Sequence, residues 1–348
     1  MNTIKIQEFL RISKDLPVID VRTPAEFSDG HITGALNIPI FSNEERAVVG
    51  TKYKKESKDT AIAQALEYIA EKIDHYLNEL HKFVPDQEVF VYCWRGGFRS
   101  EGMGQLFQTT GKKVYRLDGG YKAYRNFVLD SFKIKYNLIV IGGMTGSGKT
   151  EILEEIGKIN KQMLDLEGIA NHKGSAFGAL GQADQPTTQQ FENDLASQLN
   201  RFDIEQSIWL EDESRMIGRV KIPDDLFTQI RNTTVIKIEV SKKNRINRLV
   251  KDYANFSKID LINSINNISR RLGGLNTKLA IEAIEQEDYS IATEIILDYY
   301  DKTYTYGLEK RKEQTVIPLK LEENNQRLNA EKVIEFVKRG TKKFHLTY

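Results

Sequence analysis

Two glycine-rich loops carry the residues whose types and spacing could do chemistry. The first, YCWRGGFRS (92–100), holds Cys93, the single cysteine among 348 residues, with Arg95 and Arg99 beside two glycines. A strand ending at this cysteine, a tight turn and a helix beginning near Arg99 would aim successive backbone N–H groups at one spot, a nest that holds an anion. Sulfur at its centre, next to two guanidinium groups and a helix N-terminus, is favoured as an anionic nucleophile; arginines and glycines are not what surrounds an inert apolar thiol. One cysteine cannot form an intramolecular disulfide or a cysteine-rich zinc site. The five histidines (His31, His75, His81, His172, His345) show no close ligand pairing. The thiol, if it matters, matters as a reactive group.

The second loop, GGMTGSGKT (142–150), contains Gly143-x4-Gly148-Lys149-Thr150 directly after the apolar run NLIVIG and before the helical EILEEIGKI. Strand, loop and helix in that order make a Walker A match. Backbone N–H groups of 145–150, in a turn shaped by Gly143, Gly146, Ser147 and Gly148, would cradle a diphosphate. Lys149 would neutralise it, and the Thr150 hydroxyl would ligate Mg²⁺. Farther on, SIWLEDESR (207–215) is an apolar strand ending in acids, so Glu211 and Asp212 are candidates for the metal's shell, with Glu213 not separable from them. LDLEGIANHKGSAFG (164–178) crowds Asp165, Glu167, Asn171, His172, Lys173 and Ser175 into a Gly-rich segment. An active-site loop and a plain connection both fit it.

The elements that must position these loops alternate. LPVIDVR (16–22) and EVFVYC (88–93) are short apolar, β-branched runs ending at polar loops, as buried parallel strands do. SEGMGQLFQTTG reads as a helix closed by Gly111, and KKVYRLDGG as the next strand and turn. Between the first two strands, residues 43–83 are charged and largely of helical period, a helical insertion. YNLIVIGG then starts a new strand. The expectation is an α/β protein of two domains: 1–135 with the insertion, and 136–348 with a parallel sheet and a C-terminal helical region.

Charge is balanced, 50 basic against 49 acidic residues for a net +1, so bulk charge demands no nucleic acid. Local charge differs. SKKNRINRLVK carries Lys242, Lys243, Arg245, Arg248 and Lys251 without an acid, a candidate footprint for RNA phosphates or a solvated helix face. Arg270 and Arg271 follow before LGG and could lie over phosphates. LDYYDKTYTYG (297–307) offers aromatic faces for stacking or packing. No run approaches the roughly 20 apolar residues of a membrane span, and the start lacks the apolar run of a signal peptide, so a cytoplasmic protein is expected.

LPVIDVRTPAEFSDGHITGALNIP, with Asp20, Arg22, Glu26, Gly30, His31, Gly34, Ala35 and Pro39 in order, together with CWRGGFRS and VYRLDGGYKAY, resembles rhodanese-like domains over roughly residues 4–130. That resemblance implies a cysteine carrying a chalcogen as persulfide or selenosulfide. Cys93-x5-Arg99 also fits the cysteine phosphatases that share the fold, so spacing alone leaves dephosphorylation open. Joined to GGMTGSGKT, LDLEGIANHKGS and WLEDESR, and with ERAVVGTKYK and RRLGG, the whole chain resembles the tRNA 2-selenouridine synthase family. The resemblance implies exchange of sulfur for selenium at C2 of a wobble 2-thiouridine in tRNA. Selenophosphate would be the selenium donor, and an S-geranyl intermediate would be made from geranyl diphosphate. The P-loop would then serve a prenyl diphosphate, and Cys93 with Arg95 and Arg99 the selenium. A phosphatase–kinase fusion and a non-catalytic RNA-binding adaptor remain as readings from other classes.

Overall fold

The structure, a computed structural model, describes residues 1–84, 88–159, 161–253, 255–311, 315–321 and 325–340. His345 lies outside them. The chain divides into two compact units, Met1–Ser131 with Glu192–Ser197, and Phe132–Phe191 with Gln198–Tyr348.

The first unit runs β1 (Asn2–Ile4), α1 (Ile6–Ile12), β2 (Val18–Asp20), α2 (Pro24–Asp29), β3 (Leu36–Asn37), α3 (Asn43–Lys55), α4 (Lys58–Ala70), α5 (Ile73–Phe83), β4 (Glu88–Tyr92), α6 (Phe98–Gln108), β5 (Lys113–Leu117) and α7 (Gly120–Ser131). Its five strands form an all-parallel sheet in the order β1-β5-β4-β2-β3. The β4 strand, central and apolar along EVFVY, is buried from Val89 onward, as a parallel strand covered on both faces must be. Helices start where the sequence supplies caps. Thr23 and Glu26 form a reciprocal capping box with Pro24 as the first helical residue of α2, and Ser42 with Glu45 does the same for α3. The expected insertion is three helices because Ser57 caps a new one at α4 and a further helix, α5, begins at Ile73. Only α5 buries large side chains fully, Tyr76 and Leu80, and the Tyr76 hydroxyl donates to the Ile40 carbonyl at 2.7 Å. Asn193 belongs to this unit too: its Nδ2 donates to the Tyr121 hydroxyl and the His31 carbonyl, both at 2.8 Å.

The second unit contains β6 (Leu138–Gly143), α8 (Lys149–Lys158), β7 (Gln162–Leu164), α9 (Leu166–Ile169), α10 (Thr188–Leu199, whose middle is counted above), β8 (Ile208–Glu211), β9 (Met216–Ile217), β10 (Val220–Lys221), α11 (Asp224–Asn232), β11 (Val235–Glu239), α12 (Lys242–Tyr253), α13 (Lys258–Leu272), α14 (Gly274–Glu285), α15 (Tyr289–Glu309), β12 (Val316–Lys320) and α16 (Gln326–Arg339). Its main sheet is parallel, β12-β11-β6-β8-β7, with a short antiparallel β9–β10 pair apart from it. Chain order runs from β6 out to one edge and then returns to the other side of β6. The carboxyl end of β6 is therefore the switch point where open α/β sheets open a crevice. Ile152 and Ile156 of α8 pack with Val333 and Val337 of α16 over one face. A separate core joins α13, α14 and α15 around Leu261, Ile265, Ala280 and Ile296, with Phe177. Among the described residues no helix is long and apolar enough to cross a membrane.

Candidate functional site

Each unit holds one candidate site at the end of its central strand. In the first, Cys93 follows β4 directly and is 3% exposed. Its Sγ lies 3.2 Å from Ser100 Oγ, which also donates to the Gly97 carbonyl at 3.1 Å. Gly96 turns the loop at φ +65°, and a Cβ there would come within 2.7 Å of the Leu117 carbonyl oxygen, so this position admits only glycine. The DGG turn after β5 braces the loop from behind: Tyr121 N–H donates to the Cys93 carbonyl at 2.8 Å and Lys122 N–H to that of Trp94 at 3.0 Å. With two carbonyls tied back, the N–H groups of 95–100 donate to no acceptor among the described residues, and the last of them open α6. Unengaged backbone donors at a helix start are an arrangement that can receive an anion.

The two arginines of the loop part company. Arg95 is exposed, whereas Arg99 reaches back to Glu26 with Nη1–Oε2 at 2.6 Å and Nη2–Oε1 at 3.1 Å. Burial opposes the charge on Glu26, but Arg99 and the Thr23 N–H outweigh it and hold the carboxyl below its usual range. Asp20 and Arg22, further members of the N-terminal signature, form a wholly buried ion pair at 2.6 Å. Arg22 also donates to the Gly30 carbonyl and lies 3.8 Å from the Tyr121 ring centroid. These signature residues hold the loop's surroundings in place.

In the second unit, Gly143–Thr150 form a P-loop between β6 and α8. Two α12 arginines clamp it: Arg245 donates to the Thr145 carbonyl at 3.2 Å and Arg248 to that of Gly146 at 3.0 Å. A trans peptide points its N–H opposite its carbonyl, so drawing the Thr145 carbonyl toward α12 turns the Gly146 N–H to the other side. Gly146, at φ +79°, has Leu249 and the Arg245 carbonyl close enough that a Cβ would meet them at 3.0 and 3.1 Å. The Tyr304 hydroxyl accepts from Gly143 N–H at 2.7 Å. Lys149 opens α8 with Nζ 3.7 Å from Glu211 Oε2, and Thr150 donates to Glu211 Oε1 at 2.7 Å.

Around Thr150 and Lys149 stand three carboxylates, Glu167, Glu211 and Glu213, with oxygens within 4.8 Å of one another. Burial, then mutual repulsion, raises Glu167 and Glu213 above the usual carboxylate range; burial raises Glu211 despite Lys149 and the Thr150 hydroxyl. Burial disfavours the Lys149 cation, but Glu211, Glu213 and Glu167 more than offset it and hold its pKa above that of an ordinary lysine. Glu211 Oε2 is buried and accepts no hydrogen bond among the described residues. A hydroxyl, three carboxylates and an unsatisfied oxygen suit a hard divalent cation such as Mg²⁺.

Of the other residues singled out in the sequence, Asp212 is committed to Arg311, with Arg231 at 3.6 Å, so Glu211 and Glu213 are the acids of LEDE that reach Thr150's surroundings. Alternation along an extended chain is the signal that separates them from Asp212. Glu167 joins them from the crowded Gly-rich segment. Its neighbours do local work: Asp165 caps α9 through the Gly168 N–H, and Asn171 donates to the Asp184 carbonyl. Within the basic run, Arg245 is 3% exposed and bidentate to Asp301 at 2.8 and 2.7 Å, and Lys242 pairs with Glu294 and Asp298. Lys243, Lys251, Arg270 and Arg271 are exposed and are not brought to the P-loop by any contact the structure gives. The roles of Tyr304 and Arg311 escaped sequence reasoning because each acts on a backbone or acid far away in the chain.

Residues 5–127 match the rhodanese-like domain, and residues 136–335 match the tRNA 2-selenouridine synthase AAA domain. The tRNA 2-selenouridine synthase of Pseudomonas syringae pv. syringae (strain B728a) is 35% identical over 336 residues, covering 85% of this chain and 90% of that protein. That of Nitrosomonas europaea is 37% identical over 250 residues, 69% of this chain and 64% of that one, and that of Shewanella pealeana 31% identical over 355 residues, 90% and 95%. A thiol cradle and a P-loop in one chain, each in the domain these matches assign, and relatives aligned across both domains lead to one conclusion: the chain belongs to the tRNA 2-selenouridine synthase family.

Proposed function

We propose that the protein exchanges sulfur for selenium at C2 of a 2-thiouridine in tRNA, in two stages divided between its loops. In the first stage, the C2 sulfur of the base attacks C1 of geranyl diphosphate, the C1–O bond breaks, and the departing diphosphate is received by the P-loop N–H groups and Lys149. Thr150 and Glu211, with Glu167 and Glu213 beside them, would hold Mg²⁺, which neutralises charge on a diphosphate. In the second stage, selenium from selenophosphate takes the place of the S-geranyl group at C2. Geranylthiol leaves, and water takes the phosphoryl group. In this stage Cys93 Sγ attacks the phosphorus of selenophosphate, the P–Se bond breaks and the selenide released displaces geranylthiol at C2, while water cleaves the S–P bond to return the thiol and phosphate; the N–H groups of the loop would receive the phosphoryl oxygens. Carriage of the selenium as a selenosulfide on Cys93 removes two electrons relative to selenide. That route needs a thiol couple from outside a chain with one cysteine.

The observation that carries the first stage is an apolar cleft beginning at the P-loop. Thr145, Ser175, Phe177, Leu249, Ile296 and Tyr300 are among the residues that line it, so the crowded Gly-rich segment and the aromatic stretch 297–307 both contribute to the same place. A diphosphate in the P-loop would direct a hydrocarbon chain toward this apolar lining, which has room for about 10 Å³ and must widen to admit it, whereas a nucleotide's polar sugar would find no polar partner there. The test is mass analysis of 2-thiouridine tRNA incubated with geranyl diphosphate and Mg²⁺. The expected result is the S-geranyl product, reduced by about 10² or more in Lys149→Ala, as when a preorganised charge-stabilising donor is removed. Rapid ATP turnover dependent on Lys149, with no geranyl transfer, would overturn the reading.

A further inference from the structure

The Cys93 loop presents to water what a fold ordinarily hides. Phe98, the first residue of α6, is 72% exposed, and Trp94 is 38% exposed. Leaving a Phe side chain in water forfeits the free energy of burying it, and nothing in helix initiation requires an aromatic there. Trp94 is held as well as exposed: its ring lies 5.8 Å from that of Tyr121 and 5.9 Å from the Arg22 guanidinium. Two cations accompany the rings. Lys58, at the start of α4, places Nζ 5.2 Å from the Phe98 centroid, and Arg95 lies between the two aromatics in the chain. Arg99 and Arg116 nearby are paired with acids, whereas among the described residues neither Arg95 nor Lys58 is in an ion pair.

Exposed rings interleaved with unpaired cations are the chemistry of single-stranded nucleic acid binding, in which bases stack on aromatic faces and cations track the phosphates. A purely apolar partner would use the rings but leave the two cations desolvated and unmatched, whereas a nucleotide supplies a ring face and a phosphate together. We propose that Phe98 and Trp94, with Arg95 and Lys58, form a platform on which an unpaired nucleobase of the RNA stacks as its C2 is presented to Cys93. This rests on the reading of the protein as a tRNA-modifying enzyme. It adds that the first unit grips RNA itself, at the base, without relying on the basic helix of the second unit.

The chain carries two tryptophans, and Trp209 is 1% exposed in the core of the second unit, so Trp94 reports on the platform. The full protein is titrated with a short single-stranded oligoribonucleotide containing 2-thiouridine, following tryptophan emission. Binding should quench emission, and Trp94→Phe should abolish the quenching. Phe98→Ala should weaken binding about 5- to 100-fold and Phe98→Tyr should restore it, since one base–aromatic stack is worth about that much. Unchanged affinity in Phe98→Ala, or quenching that survives in Trp94→Phe, overturns the platform and returns the patch to a protein-facing surface. Geranylation of full-length tRNA, measured in the same preparations, separates the two failures. Its absence in the unmutated protein defeats the proposed function, whereas its presence alongside an indifferent Phe98→Ala defeats only the platform.

Discussion

At Cys93 one hydroxyl, and at the P-loop carboxylates one proton, decides what the group can do. Ser100 Oγ is 3.2 Å from the sulfur and has a single hydrogen, which it gives to the Gly97 carbonyl at 3.1 Å and can turn toward the sulfur. Cys93→Ala should therefore abolish selenium incorporation while S-geranylation of tRNA continues within about twofold, since diphosphate chemistry resides in the other loop. Loss of both products from a folded variant would defeat that division. Ser100→Ala should slow the selenium stage by about tenfold, the worth of a hydrogen bond to a charged atom. For the carboxylates, burial and mutual repulsion push Glu213 up to about 7 and Glu167 up to about 9. The native state thus binds more protons than the unfolded chain from about pH 5 to 9, and the metal-free fold loses stability as pH rises through that window. A cation bound to the anionic cluster reverses the penalty. The rise in Tm produced by MgCl₂ should grow between about pH 6 and 9 and shrink in Glu167→Gln; a shift that ignores both pH and the substitution would place the cation elsewhere.

At the scale of elements, helix α12 links the P-loop to the helical region. It turns Arg245 and Arg248, three apart, onto the loop's carbonyls and packs Leu249 under Gly146. The same face continues into the cleft, which holds about 10 Å³, roughly one water. A geranyl chain must therefore displace α15 side chains such as Ile296. Filling the cleft with Ile296→Trp should raise KM for geranyl diphosphate by about tenfold or more while leaving inorganic diphosphate affinity near its original value. Equal weakening of both ligands would mean that the substitution distorts the P-loop instead. Much of this element scale is legible in sequence, because apolar strands, Gly-rich turns and capping residues are local signals: EVFVYC, NLIVIG, Thr23–Glu26 and Ser42–Glu45 each announce an element. The inward role of Arg245 is not, since its partner Asp301 lies on a different helix 56 positions away and a buried arginine looks in sequence like any other member of a basic run.

For the molecule as a whole, a net charge of +1 means that grip on a polyanion comes from local groupings and not from the overall field. The basic run supplies fewer such groups than its composition suggests, because Arg245 and Lys242 are spent on acids of α15 and Arg248 on the P-loop. What remains exposed is Lys243, Lys251, Arg270 and Arg271, together with Arg95 and Lys58 of the first unit. Of the cations the sequence singled out in the second unit, these four are the ones left to meet tRNA phosphates. Reversing Lys243, Lys251 and Arg270 to glutamate should weaken tRNA binding and flatten its dependence on log salt by about one unit of slope for each phosphate no longer neutralised. Geranyl diphosphate binding should be spared, because none of the three touches the P-loop. Arg248→Ala should do the opposite, impairing geranyl diphosphate binding with little change in the tRNA salt slope. An unchanged salt slope in the triple reversal would remove the α12–α13 surface from the RNA path. The search would then move to the first unit, where Lys52, Lys54 and Lys55 of α3 lead toward Lys58 and the Cys93 loop.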